Sequence, residues 1–255
     1  MEYAGRGDPA RTMALLWRTA PGPRRGPRQG RTLDEIVAAA LALAGREGLA
    51  TLSMRAVAQQ LGVGTASLYT YVPGKAELLE LMVDAVVGAR PLPARGDDSR
   101  AALDAYARAE LAGYRDHPWL LQVASVRTVF GPGVLARYDA ALGLLDGLDL
   151  PAAEVVRAVA ALDAYVRGAA AEVVEAEQAP ARTGSSDDEW WAARVPMLDE
   201  VMTAERFPRL AAVEAAGGFA VAAAGTPYTL QRALDRFDAG LALLLDGIER
   251  LSRSR

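Results

Sequence analysis

Apolar positions recur at helical spacing along most of this chain, and no stretch from Ser99 onward alternates convincingly as a half-buried strand would. The sharpest pattern runs from Leu52 to Lys75. There Val57, Ala58 and Leu61 share one helical stripe, Gly62 stops that helix and Val63 turns inward; a second short helix follows, anchored by Leu68. The spacing predicts a helix-turn-helix. Its second helix displays Thr65, Ser67, Tyr69, Thr70 and Tyr71, hydroxyls and aromatics without an acid, where a merely solvated helix would carry Glu and Lys. Such a surface suits hydrogen bonding to base edges and phosphates.

The flanking segments fit the same plan. Thr32-Leu33-Asp34-Glu35 reads as a capping box in which the Thr32 hydroxyl and the Glu35 carboxylate satisfy free backbone N–H groups reciprocally. Ile36, Ala40, Leu43 and Ala44 form the inner face of that helix, which Gly45 and Gly48 end. Ser53 is the expected N-cap of the next helix, and Gly64 and Gly74 stand at the entries of the two after it. The last of these, through Leu78, Leu79, Met82 and Val86, is built to pack on two sides before Pro91-Leu92-Pro93 ends it. From Ser99 the expected helices cover 99–116, 118–128, 132–147, 151–177, 187–203 with a break at Pro196, 208–215 and 227–251, with 179–188 as a polar loop. The fold class is all-α.

Charge divides the chain. Residues 1–32 carry seven arginines against two acids, residues 33–90 four bases against six acids, and the remainder 17 bases against 24 acids. One end should therefore face a polyanion and the acidic remainder should face away from it. The Pro/Gly/Arg composition of residues 1–31 cannot bury a core and reads as a flexible basic arm, with Arg24, Arg25 and Arg28 placed for phosphate or minor-groove contact. Lys75, the only lysine, opens its helix where a phosphate could meet both the ammonium and the positive end of the helix dipole.

Composition also excludes several chemistries. With no cysteine and a single histidine, His117, the chain offers no disulfide, thiolate zinc site or multi-histidine metal site. Charged residues interrupt every apolar run before the ~18 residues that a membrane span needs, so a soluble, cytoplasmic protein without a membrane partner is expected. No Gly-rich phosphate loop, Gly-x-Ser-x-Gly elbow or Cys/His pair is present, and neither catalytic residue nor cofactor is expected.

Leu52-Ser53-Met54-Arg55, Leu61-Gly62-Val63, Ser67-Leu68-Tyr69 and Lys75-Ala76-Glu77-Leu78-Leu79 together resemble the DNA-binding domain of the tetracycline-repressor (TetR) family of bacterial transcription regulators. The resemblance implies an N-terminal three-helix helix-turn-helix DNA-binding domain over 32–90 and a larger helical ligand-binding and dimerisation domain over 97–255. By the matching positions, Arg55 and Thr65 would contact bases and Ser53, Tyr69 and Lys75 phosphates of a double-stranded operator. It further implies a homodimer through a four-helix seam, here 151–177 with 227–251, and an apolar pocket for a small-molecule effector. His117, Trp119, Arg127, Phe130, Tyr165, Trp190 and Trp191 are the pocket candidates, since each joins an apolar body to a polar handle or lies at a helix end facing the domain middle. Asp163 and Arg167, four residues apart, read first as an ion pair on one helix. The expected function is that of a repressor released from a palindromic operator by a small hydrophobic molecule. A ligand-independent DNA-binding dimer and an all-α enzyme are the competing readings, and a cavity in the C-terminal domain would separate a ligand-responsive regulator from a ligand-independent one.

Overall fold

A computed structural model of the chain describes residues 2–3, 8–19, 31–96, 98–124, 128–220 and 225–253. Their architecture is helical throughout apart from one two-residue pair of strands. The head consists of α2 (Leu33–Glu47), α3 (Met54–Leu61) and α4 (Thr65–Tyr69), and α5 (Lys75–Ala89) leads out of it. The expected caps are in place. Thr32 and Glu35 close a capping box on α2, Ser53 accepts the Ala56 N–H at the start of α3, and Gly62 ends α3 in the left-handed region at φ 69°. That conformation would strain any side chain with a Cβ, which is why glycine makes the turn of the helix-turn-helix.

The larger part contains α6 (Ser99–Asp116), α7 (Pro132–Gly143), α8 (Ala152–Thr183), α9 (Asp187–Ala192), α10 (Val195–Val201), α11 (Pro208–Ala215) and α12 (Tyr228–Arg253). Its core joins α6, α7, α8 and α12 through Leu103, Ala141, Leu162, Val166, Phe237 and Leu241, all almost fully buried. The expected helix at 118–128 is instead a 3-10 turn, Pro118–Gln122, followed by the strand β2 (Val123–Ala124). The expected loop at 179–188 is also corrected: α8 runs on through Pro180 to Thr183, and Gly184 ends it at φ 72°. The proline has no N–H to give the helix ladder, and beside it the Thr183 hydroxyl donates to the Ala179 carbonyl at 2.8 Å. The expected break at Pro196 is present, with α9 and α10 separated at 193–194 and Pro196 in the first turn of α10.

The N-terminal segment departs most from the sequence reading. Instead of a flexible arm, residues 9–16 form a helix, α1 (Pro9–Leu16), with Asp8 as N-cap accepting the Arg11 N–H at 2.9 Å. Thr12, Leu15 and Leu16 are buried in the core of the head, beside residues of α2 and α5. The Pro/Gly/Arg composition that dominates the arm obscured this short amphipathic stretch. Arg24, Arg25 and Arg28 lie outside the described residues.

That same core reaches past the expected domain boundary. Trp119, Leu120, Val123 and Val129 pack with Ile36, Leu78 and Met82, so the head and the segment after α6 share one hydrophobic cluster. Helix α5 also crosses α7 backbone to backbone. A Cβ added at Gly88 would stand 2.8 Å from the Gly133 Cα, so this approach requires glycine on both helices. The Asp84 carboxylate on α5 accepts the Val134 N–H at 2.9 Å and so caps α7.

Candidate functional site

The surface formed by α3, α4 and the start of α5 is built from short-range geometry. Ser53 caps α3, which fixes where the helix begins and leaves Arg55 exposed in its first turn. The turn at Gly62-Val63-Gly64 then re-aims the chain, and Leu68, fully buried, pins α4 to the core by its single apolar anchor. Ser67, Tyr69 and Thr70 are exposed, with Tyr69 showing 47% of its surface. Thr70 donates its hydroxyl to the Ser67 carbonyl at 2.6 Å, which closes the last turn of the helix. Thr65 is half-buried. Tyr71 is half-buried too, packed against the core of the head, so its ring is not part of a fully open face as the sequence suggested. Arg31 leads into this surface, donating to the Leu61 carbonyl at 2.7 Å.

Lys75 also departs from the sequence expectation. Its ammonium does not stand open at the helix N-terminus but pairs with the Glu2 carboxylate at 2.8 Å, and it keeps only 31% of its side-chain exposure. Sequence spacing could not reveal a partner 73 positions away.

The pocket candidates are dispersed. His117 ends α6 through its backbone N–H, and Trp119 is buried in the core shared with the head, its indole N–H unpartnered among the described residues. Phe130 is 56% exposed, and its carbonyl accepts the Trp17 indole N–H at 2.9 Å. Tyr165 lies in the seam between α8 and α12, stacked on Phe237 and donating to the Phe237 carbonyl at 2.7 Å. Trp190 and Trp191 form an edge-to-face pair at α9, and Trp191 donates to the Thr229 hydroxyl at 3.1 Å. Arg127 lies outside the described residues. These side chains therefore do not converge on one cavity. An open groove between α6 and α12 is lined by Arg108, Leu111, Arg115, Gln231 and Leu234.

A buried polar cluster that the sequence did not single out occupies the middle of the larger part. Glu110 on α6 accepts from Arg137 on α7 and, at 3.1 Å, from Arg90 beyond the end of α5, while Arg137 also donates to the Pro91 carbonyl at 2.8 Å. Beside it, Asp163 accepts the Tyr106 hydroxyl at 2.8 Å rather than pairing with Arg167. Burial pushes the Asp163 carboxyl up to about 6, against the lowering effect of that hydrogen bond. Burial likewise raises the Tyr106 and Tyr114 phenols. Arg167 instead turns toward the 3-10 turn and donates to the carbonyls of Leu121 and Val123, at 3.0 and 2.7 Å. Helical i,i+4 spacing permits an ion pair but cannot outweigh three backbone acceptors within reach. The polar cluster thus ties the end of α5 to the helices of the larger part.

A DNA-reading head joined to a helical body matches the comparisons with known proteins. Residues 36–82 match the family described as bacterial regulatory proteins, tetR family, and residues 92–252 match the tetracyclin repressor-like C-terminal domain. The chain belongs to the TetR family. An HTH-type transcriptional repressor of Streptomyces coeruleorubidus, DrrR1, is 44% identical over the whole of this chain and 90% of its own length. An HTH-type transcriptional regulator of Saccharopolyspora erythraea is 38% identical over 64% of this chain and 70% of its own. Among solved structures, apo ActR from Streptomyces coelicolor superposes with a TM-score of 0.68 at 25% identity, covering 89% of this chain and 99% of ActR. ActR in complex with actinorhodin superposes with a TM-score of 0.67 at 26% identity, over 87% of this chain and 96% of ActR. As a TetR-family member the protein is a DNA-binding transcriptional regulator, and its head, α2 to α4, is the family's helix-turn-helix. Among the described residues no helix is long and apolar enough to cross a membrane, and no group of three or more potential metal ligands converges.

Proposed function

We propose that the protein is a homodimeric repressor that reads a palindromic operator with α4 and is released by a small hydrophobic molecule bound in its larger domain. The observation that carries this reading is the likeness to a repressor along the entire chain. The ActR complexes with (S)-DNPA and actinorhodin lend support for the effector, since ActR shares this architecture over nearly all of its length. Arg55 and Thr65 are assigned to base edges, and Ser53, Ser67, Tyr69, Thr70, Tyr71 and Lys75 to phosphates and groove walls. The cytoplasm is the compartment in which such a regulator would meet its operator.

The dimer follows from what α8 and α12 leave uncovered. On α8, Ala153, Val156, Ala160, Ala164, Gly168 and Ala171 make an exposed stripe of small and apolar residues, and on α12 Ala239, Ala242, Leu243 and Gly247 make another. Leu243 is 73% exposed in the single chain, an unusual position for leucine on a helix whose other face is core. Two such helices from each subunit would form a four-helix seam around a two-fold axis. Phe237 and Leu241 face the chain's own core, so the subunit contact is assigned to Leu243 and its neighbours.

The test begins with selection of bound duplexes from random DNA. The reading expects a palindromic site that binds two chains and is vacated on adding a compound from a small-molecule screen that includes actinorhodin. A bound site without two-fold symmetry, or one that no compound releases, would overturn it in favour of a ligand-independent DNA binder.

A further inference from the structure

The N-terminal segment, which precedes the region matched by the family's DNA-binding pattern, makes several contacts that bear on how readily that surface meets DNA. The strand β1 (Glu2–Tyr3) pairs in parallel with β2, Glu2 opposite Val123 and Tyr3 opposite Ala124. Helix α1 is held in the core by Thr12, Leu15 and Leu16. After it, Trp17 donates to the Phe130 carbonyl at 2.9 Å and Arg18 to the Asp34 carboxylate at 2.5 Å. The segment is therefore fastened both to the head and to the body. At its tip the Glu2 carboxylate meets the Lys75 ammonium at 2.8 Å.

We propose that this N-terminal segment is an autoinhibitory strap, in which Glu2 occupies the lysine that would otherwise meet an operator phosphate. The proposal rests on the phosphate role assigned to Lys75. The ammonium has three protons, so contact with Glu2 does not use up its donors, but the carboxylate offsets the lysine's positive charge and repels a phosphate brought beside it. Because pairing with β2 and burial of α1 hold Glu2 in place, the competition is intramolecular and acts at a high effective concentration. Lys75 therefore contributes fully to DNA binding only when Glu2 moves away. The anchor on Val123–Ala124 follows directly on the 3-10 turn that contributes Trp119 and Leu120 to the shared core, so a shift of that segment would also move Glu2. The strap makes operator affinity depend on the body of the protein through β2 and Glu2.

The experiment compares the full-length chain with its Glu2→Gln, Glu2→Lys, Lys75→Gln and Glu2→Gln/Lys75→Gln variants on one operator duplex, by fluorescence anisotropy across a salt series. A pair of this exposure is worth well under a decade, so Glu2→Gln should tighten binding roughly two- to five-fold, with Glu2→Lys tightening it further. Lys75→Gln should weaken binding, and in its background Glu2→Gln should have no effect. If Lys75→Gln weakens binding but both Glu2 variants bind like the parent or more weakly, the strap is refuted and the phosphate role stands. If Lys75→Gln changes nothing, the phosphate role fails and the strap falls with it. If Glu2→Gln tightens binding equally in both backgrounds, Glu2 acts elsewhere and the proposal is overturned. Circular dichroism of each variant guards against loss of fold, and Glu2→Lys, which keeps a long side chain on β1, provides the second readout of the carboxylate.

Discussion

The Tyr106 hydroxyl on α6 donates to the Asp163 carboxylate on α8 at 2.8 Å, in the interior between the two helices. Burial raises the Asp163 pKa from 3.8 to about 6, so the folded chain holds a proton there that the unfolded chain has lost. For a carboxyl whose folded pKa is raised, the native state binds more protons between the two values, and stability contributed by this group falls as pH rises from about 4 to about 6. Asp163→Asn keeps the acceptor for Tyr106 and removes the charge. Its thermal stability relative to the parent should be near equal at pH 4 and improve through pH 6, by on the order of 1–3 kcal/mol. Denaturant melts at a series of pH values check this; a difference that does not change with pH contradicts it.

Gly133→Ala tests the crossing of α5 and α7. The new Cβ would lie 2.5 Å from the Asp84 carbonyl oxygen and 2.7 Å from the Gly88 Cα, and backbone cannot swing aside as a side-chain tip can. We expect a loss of about 1–3 kcal/mol in stability, together with altered operator affinity, because the same helix carries the head. Calorimetry and an operator titration check both parts, and unchanged values in both would contradict the close crossing.

Leu243→Arg should leave each chain folded and make it monomeric, since Leu243 is 73% exposed in the single chain. Leu241→Arg, by contrast, places charge in the chain's own core, where Leu241 is 1% exposed, and should unfold it. Light scattering and circular dichroism distinguish the two. A dimeric Leu243→Arg variant with full operator affinity would sink the assigned seam.

Arg55→Ala should cost about 1–3 kcal/mol in operator binding and relax preference at one base position, with stability within about 0.5 kcal/mol of the parent. Arg55 is exposed on a helix whose fold is set by the Ser53 cap and by Val57 and Ala58 beneath it. Binding assays on single-base operator variants provide the check. A uniform loss across all of them would reassign Arg55 to a phosphate.

What the sequence makes legible follows the range of the forces involved. The capping box at Thr32 and Glu35, the Ser53 cap, the Gly62 turn and the buried Leu68 depend on neighbours within one or two turns, so their spacing carries the information. Contacts across the chain leave no such trace. Lys75 with Glu2, Trp17 with Phe130, and Arg167 with the carbonyls of the 3-10 turn each join residues tens of positions apart. The N-terminal helix was hidden for a different reason, because a window dominated by proline, glycine and arginine masked Asp8-Pro9, a cap followed by the proline that favours the first turn. The aromatic candidates illustrate the remaining difficulty. Tyr165, Trp119 and Trp191 are all substantially buried, yet in three separate places, and burial of an aromatic ring is satisfied equally by core and by ligand.

The central claim is that DNA and a small molecule oppose each other through one coupling free energy. Once a compound that raises the melting temperature has been found, its dissociation constant should be measured by calorimetry with the free regulator and with the regulator saturated by operator duplex. The account predicts a compound bound about 5–150-fold more weakly in the presence of operator, the range that ~1–3 kcal/mol of coupling produces. Equal affinities in the two titrations would contradict it, because a ligand that does not distinguish the two states cannot shift them.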